Sequence, residues 1–349
     1  MNSIKNIRFH EISRPLKTTF STSLGRKDVI KSIIIKVTLK DGSCGAGECP
    51  TSFAIKNETV SAIKSVLAEI SPRLMNMPIE GYEEHIGQLR RAYAANPMTI
   101  SGLETALFRA LLNSRQISEH DYWGRKTTHI KTDITIPYST DYSTLANWLK
   151  YTFKNGFTVF KLKVSGNVEE DIKLISFIHR TLKKNRYDFT LRLDCNQGYN
   201  VKTFLNMIDL ICHYNYDIEL YEQPLPKADY EGLKEIKKHS PVPIILDETI
   251  FSVEDLDRAI SENLCNGVNI KIAKSGIAES LKIYRVAKKH GLKLMIGCMT
   301  ETMVGLSAGI FFASGTDGFD YIDLDSIHFL HHKDCYNKIK IKGSNILIS

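Results

Sequence analysis

The chain is poor in the features that mark membrane, secreted and nucleic-acid-binding proteins. No stretch approaches the ~18 continuous apolar residues that cross a bilayer. The amino terminus, MNSIKNIRFHEISRPLK, lacks the apolar core of a secretory signal. A membrane partner is therefore not expected, and the expected location is cytoplasmic. The 7 cysteines form no CxxC pair and no Cys/His zinc spacing, and an odd number cannot all be bridged within one chain. Free thiols in a reducing compartment follow. The net charge of +7 is spread along the chain with no basic run carrying interleaved aromatics, which argues against nucleic acid. With 43% hydrophobic and 24% charged residues the chain is neither disordered nor fibrous. Its 349 residues suit two domains, or one large α/β barrel with an attachment.

Two patterns divide the chain. Residues 3–13 and 29–41 read as strands, and Asp41-Gly42 with Gly45 and Gly47 mark turns. Helical spacing follows over 57–71, 80–93 and 100–116, as in Ile63, Val66, Leu67 and Ile70. Residues 1–125 thus read as an α+β unit. Eight short apolar strands then alternate with helical stretches: 134–139, 158–164, 190–196, 218–223, 243–248, 268–272, 294–299 and 321–325. Such alternation predicts an α/β fold with a (β/α)8-type TIM barrel over 126–330. The closing segment, within 331–349, alternates as an antiparallel strand and is expected to return to the amino-terminal capping unit.

In this fold the carboxyl ends of the strands build the site. Strand two ends with Lys161 and Lys163, strand three with Asp194 and Asn196, strand four with Glu222, strand five with Asp247 and Glu248, and strand six with Lys271. Any one carboxylate is explained as a structural ion pair with a lysine. Three at consecutive strand ends, roughly 5 Å apart, need a cation. Oxygen ligands without Cys or His select a hard ion such as Mg2+. A neighbouring ammonium and a dication both disfavour a charged lysine, so Lys161 and the metal would bring Lys163 towards the pH at which it works as a base. The combination fits proton abstraction next to a carboxylate, with the metal stabilising the enediolate. Inversion follows if a second lysine returns the proton to the opposite face, and an alkene follows if a group departs.

The motifs F-K161-L-K163, L-D194-C-N196-Q-G-Y, Y-E222-Q-P, L-D247-E-T, N-I-K271-I-A-K-S-G and I-G-C298-M-T-E301-T resemble the enolase superfamily, in its muconate-lactonizing-enzyme-like subgroup, over nearly the whole chain. The resemblance implies one Mg2+ held by Asp194, Glu222 and Asp247, an acid/base pair of Lys163 and Lys271, and support from Lys161, Asn196 and Glu248. It also implies a capping domain whose loops near 16–28 and 49–58 close over the substrate. Asp323-Leu324-Asp325 resembles the D-x-D pattern of dipeptide epimerases of the L-Ala-D/L-Glu type. Two carboxylates on one strand face could hold a free α-ammonium. Glu58-Thr59 echoes a pair in the second capping loop of those enzymes. Cys298, Thr300 and Glu301 are expected to line the pocket. Two departures stand out: Ser275-Gly276-Ile277 replaces a glycine pair, and Gly25 occupies the place of an arginine that meets an acidic substrate side chain, which leaves Arg26 or Lys27 to substitute. The expected activity is a Mg2+-dependent 1,1-proton transfer that interconverts L,L and L,D dipeptides at the carboxy-terminal residue. An N-acylamino-acid racemase, cycloisomerase or o-succinylbenzoate synthase of the same subgroup is the alternative. The expected partners are a small dipeptide and further copies of the chain in a homo-oligomer.

Overall fold

A computed structural model describes residues 2–52, 55, 57–331, 336 and 338–349. Cys335 and residues 53, 54 and 56 of the second capping loop lie outside the described residues. The amino-terminal strands run further than the sequence suggests: β1 is Ile4–Thr22 and β2 is Gly25–Leu39, joined as one long antiparallel hairpin. The expected strand stops at residue 13, just before Pro15, which cannot donate to a ladder. Here β1 is the sheet edge, and the register shifts between Pro15 and Phe20, so the strand continues past it. The first capping loop is therefore a two-stranded ribbon with one break in register.

The third strand, β3 (Cys44–Pro50), pairs with β2. Of the expected turn glycines only Gly42 sits at a turn, with φ +90°. Gly45 and Gly47 lie inside β3, where a side chain would collide with the backbone of a crossing helix. The cap helices are α1 (Val60–Leu74), α2 (Tyr82–Ala92) and that crossing helix, α3 (Pro97–Ser114). Nearly every residue of α3 is buried, because it lies between the cap sheet and the barrel.

After a short turn of helix, α4 (Glu119–Tyr122), and a strand, β4 (His129–Lys131), the eight barrel strands follow as β5 (Ile134–Ile136), β6 (Val159–Lys163), β7 (Thr190–Asp194), β8 (Ile218–Glu222), β9 (Ile244–Leu246), β10 (Gly267–Ile270), β11 (Lys293–Gly297) and β12 (Tyr321–Asp323). They form one parallel sheet in chain order. At the seam the Asp133 N–H donates to the Ile322 carbonyl at 3.0 Å. Central strands such as Ile244-Ile245-Leu246 are fully buried, which is why they read as continuous apolar runs. The intervening helices are α5 (Tyr142–Lys154), α6 (Val168–Lys184), α7 (Val201–His213), α8 (Tyr230–His239), α9 (Val253–Ser261), α10 (Ile272–Lys289) and α11 (Met303–Thr316). Side-chain N-caps such as Asn167, Asn200 and Ser252 start them. After β12 the described residues continue as a short 3-10 turn, Ser326–Phe329, in place of an eighth α-helix.

The terminal hairpin, β13 (Ile339–Lys342) and β14 (Asn345–Ile348), pairs with β4 and not with the amino-terminal sheet. Pairing there sets Ile346 against Ile130 and buries both, a match that alternation alone does not reveal. No helix among the described residues is long and apolar enough to cross a membrane. Among the described residues the six cysteines, at 44, 49, 195, 212, 265 and 298, are free.

Candidate active site

One pocket opens at the carboxyl ends of the barrel strands, and it gathers residues from β5, β6 and β12, from the segments that follow β7, β9, β10 and β11, and from the tip of the cap ribbon. On β6 the two-residue period turns Lys161 and Lys163 into the barrel, while Phe160 and Leu162 pack outward in the core. Lys163 donates to Asp194 Oδ2 and lies 5.8 Å from the centre of the Phe20 ring. Lys161 donates to Asp323 Oδ2 and to Glu222 Oε2 at 3.3 Å, and sits 3.4 Å from Asp194 Oδ2. The two lysines thus meet at one carboxylate oxygen.

Ladder register sets Lys163, Asp194 and Glu222 side by side on neighbouring strands. Asn269 Nδ2 donates to Glu222 Oε1 at 2.7 Å. Asp247 follows β9 and takes Lys271 Nζ on Oδ2 and Lys274 Nζ on Oδ1, both at 2.7 Å. Glu248 takes Asn196 Nδ2 at 3.1 Å on one oxygen, and its other oxygen has no hydrogen-bond partner among the described residues. Lys163 ends the second strand and Lys271 directly follows the sixth strand of an eight-strand ring, and so the two approach the pocket from opposite sides.

Burial pushes the Glu222 carboxyl up to about 7, assisted by the charge of Asp194. Burial, with Asp247 and Asp194, pushes Glu248 up to about 8. Burial opposes ionisation of Asp194 and Asp247 as well, but the ammonium groups of Lys163 and Lys271 respectively hold them below the usual carboxylate range. Lys271 in turn is raised against the effect of burial by Asp247. Four ammonium groups and a cluster of carboxylates therefore balance one another in a water-poor space.

A second acidic group lies at the seam. Asp133, Asp323 and Asp325 are buried and offer carboxylate oxygens within 4.8 Å of one another. Asp325 Oδ2 accepts the Thr135 N–H at 2.6 Å, and burial together with Asp323 raises its carboxyl to about 6. Asp323, Asp325, Cys298 and Thr300 all line the pocket. The Cys298 thiol is held well above its usual pKa by burial.

Several expectations need correction. Arg26 does not face the pocket: it pairs with Ser21 on the opposite face of the ribbon and lines a separate cleft beside Tyr138 and Trp148. Strand alternation turns its neighbour Lys27, paired with Phe20, into the pocket instead. Glu301 does not line the pocket; it is buried beside Gly305, and its carboxyl is raised by burial and by Glu48. Glu58 and Thr59 have structural work: Glu58 caps α3 through the Met98 and Thr99 N–H groups, and Thr59 caps α1. Gly276, beside the departure at Ser275, has φ +75° and kinks α10 where a side chain would collide with Arg90 and Glu104.

Sequence reasoning passed over Lys274, Asn269 and Asp133. Lys274 was visible as the second lysine of K-I-A-K, which the first turn of α10 returns towards Asp247. Asp133 precedes its strand, and no motif marks it.

The amino-terminal part of the chain, residues 4–123, matches the family model for the mandelate racemase/muconate lactonizing enzyme N-terminal domain. Residues 144–348 match the enolase C-terminal domain-like model. An L-Ala-D/L-Glu epimerase from Francisella tularensis subsp. novicida is 30% identical over 351 residues, which span 100% of this chain and 97% of that protein. Among solved structures, a substrate-liganded complex of the L-Ala-D/L-Glu epimerase from Bacillus subtilis superposes with a TM-score of 0.92 at 27% identity, covering 99% of this chain and 96% of that one. A dipeptide epimerase from Enterococcus faecalis, complexed with Mg and L-Leu-L-Tyr, gives a TM-score of 0.90 at 25% identity, covering 99% and 97%.

Proposed function

We propose, from the premise that this chain belongs to the mandelate racemase/muconate lactonizing enzyme family of the enolase superfamily, that it is a Mg2+-dependent dipeptide epimerase. The observation that carries the reading is the approach of Lys163 and Lys271 to one pocket from opposite sides, with Asp194, Glu222 and Asp247 on the strands between them. An α-carbon held between two lysines can lose its proton to one and regain it from the other, which inverts it. Lys163 is tied to Asp194 and Lys271 to Asp247, so the protonation of each base depends on how far that carboxylate is engaged elsewhere.

The residues present fit Mg2+. The donors are all oxygen, Asp194 and Glu222 are paired in ladder register with Asp247 two residues past Ile245, the partner of Glu222, and Glu222 is raised to about 7 by burial and then by Asp194, as expected of a site short of positive charge. When bound there, the ion supplies Lewis-acid charge that lowers the cost of negative charge developing on a substrate carboxylate. Asp323 and Asp325 hold the free ammonium of the dipeptide by charge-assisted hydrogen bonds. That role, and the dipeptide epimerases among its relatives, favour this activity over an acylamino-acid racemase or cycloisomerase, whose substrates carry no ammonium.

The cap ribbon selects the side chain. Lys27 faces the pocket beside apolar Phe20, Leu24 and Ile55, and burial followed by Lys163 lowers its pKa to about 8. An acidic side chain placed there would stabilise the charged form of Lys27, so acidic dipeptides are the preferred class. The protein is read as cytoplasmic, in keeping with its free cysteines. The test is incubation with Mg2+ and a pooled dipeptide library in D2O, scored by mass spectrometry for deuterium gain. Exchange concentrated in L-Xaa-L-Glu and L-Xaa-L-Asp peptides is expected. No exchange in any dipeptide, from folded and metal-loaded protein, ends the reading.

A further inference from the structure

The seam cluster contains more carboxylates than its cations balance. Asp133 is 2% exposed and does not line the pocket. Its Oδ2 accepts Arg192 Nη1 at 2.7 Å, and Arg192 is shared with Glu219 at 2.6 Å. Asp323, also 2% exposed, gives Oδ2 to Lys161, which is shared with Glu222 and Asp194. The remaining oxygens, Asp133 Oδ1 and Asp323 Oδ1, are buried with no hydrogen-bond partner among the described residues. Two anionic carboxylates held this close, with oxygens within 4.8 Å and one oxygen of each left unsatisfied away from water, would be costly on both counts, repulsion and lost hydrogen bonding. The backbone cannot relieve this by drifting apart, because the Asp133 N–H is bonded across the seam to Ile322 and the Leu324 N–H to Thr132 Oγ1 at 2.7 Å.

We propose that Asp133 is a positioning residue of the ammonium subsite, holding a proton between its free oxygen and that of Asp323. The inference rests on the reading of Asp323 and Asp325 as the ammonium-binding pair. One proton turns the repulsion into a short O–H···O bond of the charge-assisted kind. The proton resides on Asp133, since Arg192, the cation that donates to it, is already divided with Glu219, and burial plus the charge of Asp323 raise its carboxyl well above normal. Asp323 resists burial through Lys161 and stays ionised. The result is a subsite whose anion is fixed from behind by two donors, Lys161 Nζ and the Asp133 hydroxyl, while its negative charge remains available to the substrate.

The test compares Asp133→Asn with Asp133→Ala in the full-length, Mg2+-loaded enzyme. Asparagine can donate through Nδ2 to Asp323 and accept from Arg192 through Oδ1, so it should keep kcat/KM for dipeptides within about threefold of wild type. Alanine removes a hydrogen bond to a charged group and should raise the dipeptide KM about tenfold, with a smaller change in kcat. Infrared difference spectra, wild type minus Asp133→Asn, should contain the C=O stretch of a protonated carboxylic acid. Asparagine as damaging as alanine, a KM unmoved by either variant, or no such band would each overturn the proposal. The band is read without turnover, so absence of dipeptide exchange in wild type would sink the epimerase reading while the shared proton is still decided.

Discussion

The two walls of the pocket are built on different principles. On the barrel wall each reactive side chain leaves the end of a strand held by ladder bonds on both sides, and its partners are other strand ends: Lys163 on Asp194, Lys161 on Glu222, Lys271 on Asp247. On the cap wall Phe20, Thr22, Leu24 and Lys27 come from the tip of a two-stranded ribbon, tied to the barrel through the Ser23 hydroxyl, which donates to the Asn196 carbonyl at 2.8 Å. A ladder-held group can be placed to within a fraction of an ångström, which proton transfer requires. A ribbon tip can change its side chains without disturbing the ladder, which suits selection among substrates. On the proposed function, chemistry and selectivity are thus separated by the kind of structure that carries them.

The largest effects should come from the barrel wall. Lys163→Ala and Lys271→Ala should each lower epimerisation by about 10³-fold or more. Each variant should still exchange the α-proton of one epimer only, the one facing the remaining lysine, as read by deuterium incorporation into separate L,L and L,D dipeptides. Exchange of both epimers by a single-lysine variant would break the assignment of opposite sides. Metal removal comes next: a chelator should abolish exchange and added Mg2+ restore it, with Asp247→Asn needing far more Mg2+ for half-maximal rate.

Cap-wall changes should be smaller and selective. Lys27→Met should lower kcat/KM for acidic dipeptides about tenfold while leaving apolar ones nearly unchanged. With the Lys27 pKa lowered to about 8, chiefly by burial, the group is charged below that pH and loses its proton above it. KM for acidic dipeptides should therefore rise as pH passes about 8 in the wild type, and that rise should vanish in Lys27→Met. The smallest effect is expected at Arg26→Met, less than about twofold for any dipeptide, because Arg26 faces away from the pocket. A large loss there would show that the ribbon turns over when substrate binds.

Legibility followed the same division. The barrel strands, the lysines at 161, 163 and 271 and the acids at 194, 222 and 247 could be read because a strand's apolar run ends abruptly in a polar residue, a local signal. The ribbon was harder. Choosing between Arg26 and Lys27 depends on strand parity, and parity is invisible while residues 16–28 are taken for a loop. Glu301 was misplaced for a related reason: it lies past the end of β11, where the strand period no longer sets direction, and it is buried beside Gly305. Lys274 was missed because a helix, not a strand, brings it back to Asp247.

Sequence by itself determined the alternation of strand and helix, the residue types at the strand ends, and from them the class of chemistry, because each depends only on neighbours along the chain. Tertiary structure alone decided three further things: that the terminal hairpin joins β4, that Lys27 and not Arg26 reaches the pocket, and that Asp133 stands behind Asp323. Each is a meeting of segments distant in the chain or a choice of face, and the burial that selects it exists only once the barrel has closed.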